Sequence, residues 1–119
     1  MIGKQIHDFK IKAMATSEAK IKKAFIGLST DIIMDTPVLS GRLRNNWMTS
    51  VNQGSNETTE STGNEAINRV SAVKFKLGDT LYLTNNLPYA KRIEYGYSKK
   101  APNGMLRRNI IRWEKYFNA

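Results

Sequence analysis

The sequence predicts a single α+β domain over residues 1–119: a long N-terminal helix, a small antiparallel sheet, short helices and a C-terminal amphipathic helix. Three observations predict it. Apolar residues recur at steps of three and four near both ends of the chain, which is the helical period. Two β-prone runs, Met48–Val51 and Leu81–Thr84, lie between them. No internal repeat or linker divides the 119 residues, a length typical of one domain. The 40% hydrophobic fraction suffices for one core, although a domain this small buries proportionally little surface and gains from neighbours.

The first stretch carries Ile2, Ile6, Phe9, Ala13, Ile21, Phe25, Leu28 and Ile32, mostly in helical register, with Lys20, Lys22 and Lys23 largely off the stripe. Pro37 supplies the stop after Asp35-Thr36, because proline disfavours helix in the residue before it. The stretch therefore reads as an N-terminal helical arm over 1–36. Unbroken, it would run roughly 50 Å at 1.5 Å per residue, longer than a domain of this size is wide. Either it breaks, near Thr16-Ser17 or at Gly27, or it projects and packs on another subunit. Thr16 is placed to cap a second segment, with Glu18 in its first turn suiting the helix dipole. Ala19, however, stands where a capping box would carry Glu or Gln.

Val38–Trp47 is a short amphipathic stretch that leads into the strand ending at Val51. Residues 52–64 contain no apolar side chain. Such a segment cannot bury itself, so a mobile loop is expected there, of a length often tied to function in small domains. From Glu65, the spacing of Ala66, Val70, Val73 and Leu77 suggests a short helix. Val73, Phe75 and Leu77 also alternate with Lys74 and Lys76, which keeps a strand as the rival. Gly78-Asp79 signals a turn. The following strand ends at Asn85-Asn86, ahead of Pro88, which has no amide to give to a ladder. Tyr89–Tyr95 reads as one or two helical turns closed by Gly96. Leu106, Ile110, Trp113 and Phe117 mark the last amphipathic helix, with arginines on its other face.

The residue inventory argues against catalysis. Without cysteine there are no disulfides, thiolate nucleophiles or Cys-based metal sites. One histidine, His7, cannot assemble a zinc site alone, and its setting among lysines and apolar residues is that of a surface or core side chain. Glu57 and Glu60 fall in the polar loop. Ser40 lacks the Gly-x-Ser-x-Gly setting of a nucleophile elbow. Gly78, Gly96 and Gly104 lie too far apart for a phosphate loop. The chain is read as no enzyme, with no cofactor and no metal. No apolar run approaches the ~20 residues that span a bilayer, and the N-terminus lacks the apolar core of a signal peptide. A soluble protein kept inside the cell, with no membrane partner, is expected.

The formal net charge is +9 and is unevenly placed. From Asn85 onward, eight basic residues face only Glu94 and Glu114. Such a surface attracts polyanions. Arg107, Arg108 and Arg112 are the candidate DNA-facing residues, because phosphate contacts need only a basic face. Tyr95, Tyr97 and Trp113 are aromatic neighbours, but Trp113 falls on the apolar stripe and reads as core. With no helix-turn-helix or zinc-finger signature, any contact with double-stranded DNA would be non-specific.

The stretch Leu83-Thr84-Asn85-Asn86-Leu87-Pro88-Tyr89-Ala90-Lys91-Arg92-Ile93-Glu94-Tyr95-Gly96 resembles the Asn-x-x-Pro-Tyr-Ala-x-x-Ile/Leu-Glu-x-Gly signature of the neck and tail-completion proteins of long-tailed bacteriophages. Ser98 and Ala101-Pro102-Asn103-Gly104-Met105-Leu106 extend the likeness. Upstream, Thr36-Pro37-Val38-Leu39-Ser40-Gly41-Arg42-Leu43-Arg44-Asn45-Asn46-Trp47 looks like the same family's Thr-Pro-Val-x-Thr-Gly-x-Leu-Arg-x-x-Trp element. Leu39-Ser40 stands where the family commonly has Asp-Thr or Arg-Thr, and Lys100 where it commonly has Gln. Order and spacing agree from Thr36 to the C-terminus.

The resemblance implies a structural virion protein that forms a ring at the neck or tail end and joins or completes the tail at the head. The implied partners are its own copies, in a hexamer or alternatively a dodecamer, together with neighbouring neck and tail proteins. Its place would be the virion, reached through the host cytoplasm during assembly. Arg42, Arg44, Tyr89, Glu94, Tyr95, Tyr97, Lys99 and Lys100 are the expected contact residues, and Glu94 is also placed to pair with Arg42 or Arg92. The rival reading is a non-sequence-specific DNA-binding module outside any particle.

Overall fold

Helix α1, Glu18–Asp35, is the longest element of the computed structural model, which describes residues 2–4, 8–12, 18–38, 41–88, 90 and 109. It buries Ile21, Ala24, Phe25, Leu28, Ser29, Ile32 and Ile33, a stripe at the three-and-four spacing of a helix with one face on a core. Its end is defined by side chain as well as by Pro37. The Thr36 amide donates to Ile33 O at 3.2 Å, and the Thr36 hydroxyl donates to Ile32 O at 2.8 Å. Both satisfy carbonyls that a helix C-terminus leaves without partners.

The helical arm expected over 1–36 is corrected by the structure. Residues Ile2–Lys4 form strand β1 and Asp8–Lys12 form strand β2, so among the described residues of that stretch helix is confined to Glu18–Asp35. The strands pair antiparallel, with Ile2 opposite Ile11 and Lys4 opposite Phe9. The break considered near Thr16-Ser17 lies outside the described residues, while Gly27, the other candidate, sits within unbroken helix. At 18 residues, α1 is about 27 Å long, which a domain of this size accommodates.

Helix α2, Arg42–Asn45, is a single turn entered from Gly41. Strand β3, Trp47–Val51, follows, then the 52–64 loop, helix α3, Glu65–Ser71, and strand β4, Thr80–Asn85. The sheet order is β1-β2-β4-β3, antiparallel throughout. The fold is thus α+β with a small antiparallel sheet and short helices. Residues 73–77 adopt neither helix nor strand, and the turn at Gly78-Asp79 is closed by the Asp79 amide on Lys76 O at 3.0 Å.

Leu81 and Leu83 of β4 are wholly buried, while Tyr82 between them is half-buried, the alternation of a sheet with one face on a core. They join Trp47, the α1 stripe, and Ala66, Val70 and Val73 from α3 and its exit in one apolar cluster. Full burial of a Phe or Leu side chain contributes roughly 1.5–3 kcal/mol, so this cluster is the main source of stability. A second, smaller cluster brings Leu43 of α2 against Leu87 and Ala90. Of the expected C-terminal amphipathic helix only Asn109 is described; it is helical and buried and donates from Nδ2 to Asp35 Oδ2 at 2.8 Å. The remaining residues of the expected helix lie outside the described set, as does the expected turn over Tyr89–Tyr95 apart from Ala90.

Candidate functional site

The two sequence elements at 36–47 and 83–88, nearly forty positions apart, meet in space. Register places Trp47 opposite Asn85, the last pair of the β3–β4 ladder. The Trp47 indole Nε1 donates to Thr36 Oγ1 at 2.8 Å, tying the strand to the end of α1. Arg44 Nη2 donates to Met34 O at 2.9 Å and Thr36 O at 3.1 Å. A cation over the last carbonyls of α1 suits the helix dipole, whose C-terminal end is negative. From the other motif, Asn85 Nδ2 reaches Leu43 O at 2.9 Å, while its Oδ1 accepts the Leu87 amide at 3.2 Å.

Gly41 makes the corner between these parts. Its φ is +90°, and a Cβ there would lie 2.6 Å from the Thr62 carbonyl oxygen. Glycine is needed for both reasons, the backbone conformation and the close approach of the loop.

The loop itself is held by polar side chains that grip its backbone. Asn46 donates from Nδ2 to Thr59 O at 3.0 Å and accepts the Thr59 amide on Oδ1 at 2.9 Å. That pair of bonds is what a neighbouring strand would offer. Arg42 Nε adds a donor to Thr59 O at 3.2 Å, and Asn45 Nδ2 one to Ser61 O at 3.3 Å. Asn86 Nδ2 donates to Ser55 O at 2.8 Å and Glu57 O at 3.0 Å. Mobility is expected for 52–64 because nothing apolar anchors it; the structure supplies a polar anchoring that composition does not reveal. One side-chain pair completes it, Arg42 Nη2 to Glu60 Oε1 at 2.9 Å, with Glu60 87% exposed.

Asn45 also accepts the Ala66 amide at 2.9 Å and so caps the first turn of α3 from a distant element. Arg69 of α3 returns the contact, donating from Nη2 to Asn45 O and to Trp47 O, the latter at 3.1 Å. Burial lowers the Arg69 pKa from its ordinary value, while the charges of Glu65 and Glu57 raise it. A guanidinium stays protonated regardless. The Nε atoms of Arg44 and Arg69 are buried without an acceptor among the described residues. The Glu65 carboxyl is held below the usual carboxylate value, first by a hydrogen bond from its own backbone amide and then by the Ser61 hydroxyl. At the far end of the loop, Asn52 adopts φ +65°, donates to Asp79 Oδ1 at 3.0 Å and accepts the Thr80 amide at 2.9 Å.

Of the expected contact residues, Arg42 and Arg44 are described, and the partners given above are intrachain. Arg42 pairs with Glu60, and the expected pairing with Glu94 lies outside the described residues. Tyr89, Glu94, Tyr95, Tyr97, Lys99 and Lys100 lie outside the described residues, as do the candidate DNA-facing Arg107, Arg108 and Arg112. Sequence reasoning missed Asn45, Asn46, Arg69, Asn85 and Asn86 as organising residues. Their one visible signal is the doubling of asparagine immediately before β3 and at the end of β4.

Among the described residues, no group of three or more His, Asp or Glu side chains is placed to hold a metal ion. A cleft of about 320 Å³ beside the first turn of α1 is lined by Glu18, Ala19, Lys22, Val73, Lys74 and Phe75. No described helix is long and apolar enough to cross a membrane. No family model matches the chain, and no curated protein or solved structure is significantly similar to it.

Proposed function

We propose that this chain is a non-enzymatic structural subunit of a long-tailed phage particle, forming a closed ring at the neck or tail end that joins or completes the tail at the head. The observation that carries the reading is the set of linked sequence elements, 36–47, 83–96 and 98–106, in the order and spacing of the neck and tail-completion family. The intimacy of the two described elements supports treating them as one unit. Thr36, Gly41, Arg44, Trp47 and Asn85 each hold another part of that unit in place. Closed rings arise from heterologous contacts whose rotation closes. Six copies follow from the symmetry of such tails, twelve if the ring sits nearer the portal. Arg42, Arg44 and the Tyr95–Lys100 stretch are the proposed contact region, and Arg107, Arg108 and Arg112 the proposed face toward passing double-stranded DNA, touching phosphates without reading sequence.

The test is electron microscopy of particles made in host cells with this gene disrupted. Filled heads beside unattached tails are the expected result, with normal tail length pointing to completion and overlong tails to termination. Intact infectious particles would remove the neck reading. The second reading, a non-specific DNA-binding module outside the particle, is favoured by the charge of +9. It requires the isolated chain to bind free duplex with a steep salt dependence.

A further inference from the structure

The grip on residues 55–61 is unusual in what it recognises. Asn46 holds the amide and carbonyl of Thr59, Asn45 the carbonyl of Ser61, and Asn86 the carbonyls of Ser55 and Glu57. These are backbone groups, presented here by a segment with hydroxyl-closed turns at Ser55–Glu57 and Thr59–Ser61. The Arg42–Glu60 ion pair is the side-chain contact that distinguishes one occupant from another. Two of the gripping amides are deeply placed, Asn45 at 1% and Asn46 at 0% exposure, and Asn86 is half-buried, so a vacated groove leaves them without these backbone partners. The occupant carries no apolar side chain, so leaving the groove costs it no hydrophobic burial. Glycines flank it at Gly54 and Gly63, while Asn52 is fastened to Asp79 and Thr80 before the first of them.

We propose that the groove of Arg42, Asn45, Asn46 and Asn86 is a docking site for a polar peptide segment, filled in the isolated chain by its own residues 55–61 and in the oligomer by the same segment of a second copy. This rests on the ring reading above. A second copy is the occupant because it brings the same backbone and the same glutamate at the same register. The bonds broken in one chain are therefore remade between two, the low-cost logic of segment exchange between identical subunits. Recognition through main-chain hydrogen bonds is also how strand addition joins separate chains. The partner surface is thus a groove that the monomer shields by occupying it.

The natural absence of cysteine makes the test direct. A tagged Arg42→Cys chain is mixed with an untagged Glu60→Cys chain under oligomer-forming conditions, followed by sedimentation and by a short bis-maleimide cross-linker. Each chain carries one thiol, so the mixed product forms only between subunits; the double variant R42C/E60C measures the intrachain product. The expected result is a mixed covalent dimer in the oligomer fraction. Adding Thr59→Pro to the E60C chain, which removes the amide that Asn46 accepts, should abolish that dimer, whereas Thr59→Ala should keep it. An oligomer in which only the double variant cross-links, and only within chains, overturns the exchange and leaves the ring reading standing. A chain that sediments as a monomer at every concentration overturns both. A mixed dimer that survives Thr59→Pro overturns the backbone-reading groove.

Discussion

The α1 core and the 52–64 loop stand at opposite ends of how a chain can be held in place. Around α1, Phe25, Leu28, Ile32, Trp47, Leu81 and Leu83 are essentially without exposure, and their side chains pack together in one apolar cluster. The loop has no apolar residue to bury, and is held by amides and guanidiniums projecting from α2, from Asn46 and from the end of β4. Burial is non-directional and strong, roughly 1.5–3 kcal/mol for each large side chain. A hydrogen bond that replaces one to water nets only about 1 kcal/mol, but it fixes geometry. The core thus supplies stability, and the polar junction supplies the position of the loop relative to the two motif elements.

Truncation should separate the two regimes most sharply. Phe25→Ala leaves a cavity in the main cluster and should cost about 3–5 kcal/mol in urea unfolding; a loss below about 1 kcal/mol would mean that the helix is not the core's centre. Asn45→Ala removes the acceptor of the Ala66 amide and the donor to Ser61 O. It should cost on the order of 2 kcal/mol, because a buried amide is left unpaired, and it should speed proteolysis within 55–61 while α1 stays protected. Glu60→Gln breaks an ion pair whose carboxylate is 87% exposed. It should change stability by only about 0–1 kcal/mol, an effect that shrinks further in salt.

Acid should weaken the loop's ends by a smaller margin. The Asp79 carboxyl is held below its ordinary 3.8, first by Asn52 and then by the Lys76 amide, and Glu65 below its ordinary 4.5 by its backbone amide and Ser61. Because both folded values are depressed, the stabilisation is full above the ordinary values and is lost as pH falls through the folded ones. Thermal melts below about pH 4.5 should therefore decline less steeply in Asp79→Asn than in the natural chain. An identical acid limb would show that the Asn52–Asp79 contact does not form in solution.

Much of the fold was legible in the sequence, and the exceptions have physical causes. Helix α3, strands β3 and β4 and the Gly78-Asp79 turn follow from local period and turn chemistry. The segment 2–12 does not, because Ile2, Ile6 and Phe9 fit a helical stripe as well as a strand. Short apolar runs are ambiguous until a partner decides, and here β4 decides, pairing Phe9 with Leu83 and Ile11 with Leu81. The alternation Phe9-Lys10-Ile11-Lys12 carried that signal, diluted by the longer pattern. At the junction, Arg42 and Arg44 stood out in the sequence as expected subunit contacts, and their bonds to Thr59, Met34 and Thr36 were not foreseen. The asparagines were not legible, since an amide's role depends on which distant carbonyl it meets, and no local spacing encodes that Asn46 faces Thr59.

Native-state hydrogen exchange at the Thr59 amide, read beside Leu83 of the central strand, tests the division between core and polar junction most directly. The expected result is measurable protection at Thr59 that is weaker than at Leu83 and disappears in Asn46→Ala, with Leu83 still protected. Exchange of Thr59 at the rate of a free peptide in the natural chain would contradict the account.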